Sequence, residues 1–184
     1  MGDSLSAAHG IDPSKGWDSL LRDKLKQEKL PWQVINISSS GDTTNNGLEK
    51  LPAALKEYHP DVVIIALGAN DGLRGLPVAL IQRNLTKLVK LSQAAKAKVL
   101  LVGLLLPLNY GPVYRKQFEH VYQQVAKHFH LIFVPFLLKD IALNPKLMQE
   151  DGLHPTEEAQ PLILDNLMPY LKDTISSSVY TLRQ

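Results

Sequence analysis

The stretch "DVVIIALG", Asp61 to Gly68, decides the fold. Its apolar residues run from Val62 to Leu67 without a polar break, and the first four are β-branched. A strand with no polar face is covered on both sides, which is the situation of a parallel sheet between helical layers. Working outward, "KVLLVGLLL" (Lys98 to Leu106) and the shorter "LIFVPF" (Leu131 to Phe136) have the same character. Upstream, "WQVINIS" (Trp32 to Ser38) reads as a further strand.

Helical periods lie around and between these runs. Trp17, Leu20, Leu21 and Leu25 share one face. Phe118, Val121, Tyr122, Val125, Ala126 and Phe129 follow i, i+3, i+4, i+7 spacing. A third helix is predicted from Leu80 or Ile81 to Ala95. A last one runs from Glu157 to Leu171, with Pro161 in its early turns. Alternating strands and helices predict a three-layer α/β/α domain with right-handed crossovers over residues 1–175. The tail "SSSVYTLRQ", residues 176–184, has no strong period.

Bulk chemistry narrows the function. The 184 residues suffice for one domain with a substantial core. A net charge of +2 without a Lys/Arg block argues against nucleic acid as partner. The absence of cysteine removes disulfides, thiolate metal sites and a Cys nucleophile together. No pair of histidines shares a helical face with a third ligand, so no metal is expected. Neither Gly-Lys-Ser/Thr nor Gly-x-Gly-x-x-Gly follows the first strand, which argues against a nucleotide loop at Gly68, Gly72 and Gly75. The apolar runs are too short to span a bilayer.

In a doubly wound sheet the reactive groups gather at the carboxyl ends of the strands. There the chain places "GDTT" with Gly41 and Asp42, "ANDG" with Asn70 and Asp71, and "DGLHP" with Asp151 and His154, while "GDSLS" with Ser4 opens the sequence. Taken singly, each has a structural reading: Asp and Thr cap helices, and Asn, Asp and Gly suit turns. In this order they supply what acyl transfer needs. A serine hydroxyl requires an imidazole to take its proton, a carboxylate orients that imidazole, and N–H donors receive the oxyanion. Asp-x-x-His spacing lets acid and base meet across one turn.

These four blocks resemble those of the SGNH hydrolases, or GDSL family, and "LGANDGLRGLP" with "DGLHPTEEAQP" is similar to its bacterial acyl-thioesterase, lysophospholipase and arylesterase branch. The resemblance runs from Gly2 to about Leu171. It implies a flavodoxin-like parallel sheet and a serine esterase without cofactors, acting on small ester, thioester or lysophospholipid substrates. By position, Ser4 matches the nucleophile, His154 the base and Asp151 its carboxylate. Ser4, Gly41 and Asn70 match the oxyanion hole. Asp3, Leu5, Asp71, Leu73, Leu76, Leu106, Tyr110 and Pro155 are candidates for substrate contact, and "LRGLPVAL" is either a mobile loop over the acyl chain or the start of the next helix. The resemblance also implies a bacterial periplasmic or secreted location, with the cytoplasm left open. The alternatives are an acyl- or lipid-binding module without catalysis, and an acyltransferase.

In that family a buried strand ends just before the Gly-Asp-Ser turn, whereas here Met1 alone precedes it. The first strand is therefore expected to be absent from this chain, its place open to another segment. Exchange of terminal segments within a homo-oligomer would supply one; a monomer is the other possibility. Among the remaining histidines, His9 lies five residues past Ser4 and is a candidate pocket residue. His59, His120, His128 and His130 read as structural.

Overall fold

The structure, a computed structural model, describes residues 1–176. The tail expected from 176 onward therefore lies outside the described residues from 177 on.

Strands β1 (Val62–Ile65), β2 (Lys98–Val102) and β3 (Ile132–Val134) pair in that order, all parallel. The register sets Val62 beside Lys98 and Ile65 beside Leu101, then Leu100 beside Ile132 and Val102 beside Val134. Each strand is shorter than its apolar run, because the residues beyond the ladder bend into the rim that carries polar groups.

The helices are α1 (Trp17–Gln27), α2 (Thr44–Tyr58), α3 (Ala69–Leu73), α4 (Val78–Ala94), α5 (Pro112–His128) and α6 (Gln160–Ser176). They sort into two groups: α1 packs on α6, while α2, α4 and α5 pack in sequence. Both groups reach β2, through α6 on one side and α4 and α5 on the other. Val99 to Val102 are accordingly buried, as continuous hydrophobicity requires. The three layers match expectation.

Three readings need correction. The segment 32–38 is extended but forms no strand. It lines a cavity of about 360 Å³ together with Val62, Val63 and Ile64 of β1. The cavity separates the two backbones, so β propensity finds no ladder to complete. The turn expected at "ANDG" is the first turn of α3. Finally, α6 begins at Gln160 rather than Glu157. Its start puts Pro161 in the first turn, where a missing N–H costs nothing.

The N-terminus lies against the free edge of β1. The Met1 amine donates to the Ile64 carbonyl at 2.9 Å, the Ala66 N–H donates to the Met1 carbonyl at 3.0 Å, and Gly2 forms a parallel bridge with Ala66. This short stub delivers Ser4 just past the carboxyl end of β1. Burial pulls the Met1 amine down to about 6, against the pull of the Asp18 carboxylate.

Candidate active site

Ser4 sits in a tight turn that its neighbours define. The Asp3 carbonyl accepts from the N–H groups of Ser6 and Ala7, at 3.1 and 3.0 Å, and Asp3 Oδ1 accepts from the Leu5 N–H at 3.0 Å. The Trp17 indole donates to the Leu5 carbonyl at 3.1 Å and ties the turn to α1. The Ser4 side chain is left half-buried and turned to the loop before α6.

That loop presents His154. Its Nε2 lies 2.9 Å from Ser4 Oγ, and its Nδ1 lies 2.6 Å from Asp151 Oδ2. Asp151 Oδ1 accepts from the N–H groups of Leu153 and His154, at 2.9 and 3.0 Å. Residual desolvation would raise the Asp151 carboxyl, but the His154 imidazole and these N–H groups outweigh it and hold it down at about 2. Asp151 is therefore ionised across the working range. It favours the tautomer whose Nδ1–H points at it, so Nε2 is free to accept the serine proton.

The loop before α2 is linked to the serine turn through Ser40 Oγ, 3.2 Å from His9 Nδ1. Gly41 has φ +85°, a left-handed conformation that glycine adopts without strain, and nothing lies within 4 Å of where a Cβ would stand. Among the described residues the backbone N–H groups of Ser4 and Gly41 donate to no other group of the chain. The loop is held from three directions. Asn70 Nδ2 donates to the Asp42 carbonyl at 2.9 Å, Arg74 donates to the Gly41 carbonyl at 3.2 Å, and Lys50 pairs with the Asp42 carboxylate. Thr43 and Asn46 close a capping box behind it. A hydroxyl, an imidazole and a carboxylate thus stand in series, and the sequence-predicted donors are two backbone N–H groups without a partner among the described residues and the Asn70 amide, which is tied to Asp42. This donor set supports acyl transfer.

The remaining candidates divide. Asp71 is buried and spends both oxygens on Thr44, accepting from its N–H at 2.8 Å and its hydroxyl at 2.5 Å. It braces α3 against α2. Asp3 is buried with Oδ2 unpartnered. Desolvation raises its carboxyl to about 6, although the Leu5 and Asp3 N–H groups and His154 pull it down. Leu106 and Pro155 are buried, whereas Leu5, Leu73, Leu76 and Tyr110 are half-exposed. Tyr110 donates to the Leu73 carbonyl at 2.8 Å, and Tyr114 donates to the Leu76 carbonyl at 2.6 Å. The segment 73–78 is therefore latched to the start of α5, and Leu80 lies within α4. Arg74, Thr44 and Lys50 carry supporting roles that sequence reasoning missed, because each acts on a group outside its own turn, 33, 27 and 8 positions away.

A hydroxyl–imidazole–carboxylate series at the carboxyl rim of a parallel α/β sheet, with the four blocks in this order, defines an SGNH-type hydrolase. The chain belongs to the GDSL-like Lipase/Acylhydrolase family, whose model matches residues 1–161. It is 47% identical to Esterase TesA of Pseudomonas aeruginosa over 172 residues, covering 94% of this chain and 86% of that protein. It is 39% identical to Thioesterase 1/protease 1/lysophospholipase L1 of Escherichia coli strain K12 over 176 residues, covering 96% and 83%. Among solved structures, the psychrotrophic esterase EstA from Pseudoalteromonas sp., inhibited by monoethylphosphonate, superposes with a TM-score of 0.90 at 45% identity, with 96% of each chain covered. None of the described helices is long and apolar enough to cross a membrane.

Proposed function

We propose that this chain is a serine esterase that hydrolyses carboxylic ester and thioester bonds of small substrates. The reading is supported above all by the Ser4–His154–Asp151 series, with contacts of 2.9 and 2.6 Å. Family membership and the names of its relatives support the same chemistry.

Ser4 Oγ attacks the acyl carbonyl as its proton passes to His154 Nε2. The Ser4 and Gly41 N–H groups and the Asn70 amide receive the oxyanion, donors whose individual loss typically costs roughly 3–4 kcal/mol of barrier. Asp151 stabilises the imidazolium. Collapse of the tetrahedral species breaks the bond to the alcohol or thiol, which leaves with the proton from His154. Water, activated by the same imidazole, then releases the acid and restores Ser4. Half-exposed apolar residues along the rim, Leu5, Leu73 and Leu76 among them, would receive acyl or aryl groups. By family resemblance the enzyme works in the bacterial periplasm or outside the cell.

The test is turnover of a chromogenic acetyl ester, which Ser4→Ala should abolish, together with an organophosphonate, which should label Ser4. Turnover that survives in the alanine variant removes the proposal.

A further inference from the structure

His9 sits outside the hydroxyl–imidazole–carboxylate series, yet its ring lies on that of His154. The ring centroids are 4.3 Å apart and the planes are inclined at 40°. A tilted contact of this kind adds to the restraint on an imidazole whose polar contacts, to Asp151 at one nitrogen and Ser4 at the other, lie along its edge. Rotation about the axis joining those two nitrogens leaves both contacts nearly unchanged. It is resisted by what packs against the ring, and His9 packs there.

His9 is itself held at two points. Its Nδ1 lies 3.2 Å from Ser40 Oγ, on the residue preceding Gly41. Its carbonyl accepts from Gln149 Nε2 at 2.8 Å. Gln149 belongs to the loop that carries the base: its backbone N–H donates to the His154 carbonyl at 2.7 Å, and its Nε2 also reaches the Pro155 carbonyl at 2.9 Å. The next residue, Gly10, has φ +74°, and a Cβ there would stand 2.3 Å from Gln149 Oε1, so the turn is fitted to that side chain. His9 thus joins three pieces that the sequence keeps far apart: the serine turn, the oxyanion loop and the base loop.

We propose that His9 is a positioning residue of the esterase site, one whose ring fixes the plane of the His154 imidazole while its nitrogen holds the Gly41 loop through Ser40. The role rests on the esterase reading. It requires no contact between His9 and the reacting atoms. It predicts that the aromatic face matters more than the imidazole's own chemistry.

The test compares His9→Ala, which removes the ring, with His9→Phe, which keeps the face and loses the bond to Ser40. His9 is exposed, so neither change empties the core. His9→Ala should lower kcat by roughly two- to tenfold, the equivalent of an aromatic pair, with KM little changed. His9→Phe should restore most of the loss. A second measurement needs no turnover. The proton on His154 Nδ1, shared with Asp151, should give a low-field NMR signal in the unaltered protein and in His9→Phe, and should broaden in His9→Ala. An alanine variant matching the unaltered protein in both kcat and this signal overturns the proposal, as does a phenylalanine variant no better than alanine. If Ser4→Ala left turnover intact while the signal still followed the ring, the esterase reading would fail, and with it the catalytic role of His9, leaving only the ring contact with His154.

Discussion

Replacing Asp3 by Asn should uncouple stability from pH over a defined window. The Asp3 carboxyl is buried beneath the serine turn with one oxygen unpartnered, and desolvation raises it from 3.8 to about 6. Because the folded value lies above the unfolded one, the unfolded chain loses its proton first. Stability is then greatest below pH 3.8 and is lost as pH rises to about 6, with no further loss above. The displacement of about two pH units corresponds to on the order of 3 kcal/mol. In Asp3→Asn the side-chain oxygen still accepts from the Leu5 N–H, and the new amide nitrogen takes the unpartnered position. Any cost of that nitrogen is the same at every pH, so it cancels when the two proteins are compared across pH. Urea unfolding at several values between pH 4 and 8 should therefore show the stability difference between variant and parent moving by on the order of 3 kcal/mol in the variant's favour as pH rises. Curves that stay parallel throughout would refute the reasoning. The gain should be accompanied by slower turnover at pH 8, because the substitution removes a negative charge that interacts with His154.

Other outcomes follow from the same geometry. Asn70→Ala removes the amide that ties down the Asp42 carbonyl and that, in the proposed mechanism, receives the oxyanion. It should reduce kcat about 10²- to 10³-fold, and a loss under about fivefold would release Asn70 from that role. Fusing about five apolar, β-branched residues ahead of Met1 should raise the melting temperature, because an extended segment there has β1 on one side and residues 32–38 on the other. The fusion also converts the buried Met1 amine to an amide. The stability that the free amine returns as pH rises from about 6 to 8 should then disappear from the pH profile. An unchanged melting temperature would show that the segment does not enter the cavity.

How much could be read from the sequence depended on whether the deciding interaction was local. "DVVIIALG" and "KVLLVGLLL" identify themselves, since strands buried on both faces must be apolar throughout. Asp-x-x-His is equally local, and acid and base meet as the spacing predicts. "WQVINIS" has the composition of a strand, but a strand is defined by its partner, and across the cavity there is none. "ANDG" looked like a turn because its residues tolerate one. The buried bonds from Thr44 to Asp71 hold it in α3 instead, and no window of a few residues contains both. Asp3 stands in the quoted motif, yet nothing beside it in sequence announces its burial. His9 stands near Ser4 in the sequence. Its place on the imidazole follows from Gln149, which is 140 positions away.

The base and its carboxylate come from one short loop, but the hydroxyl they serve is separated from His154 by 150 positions in the chain. The reactive centre exists only once these two distant segments have met. During refolding, recovery of ester cleavage therefore times the meeting of the serine turn with the base loop, and far-ultraviolet circular dichroism, which reports local helix, should run ahead of it.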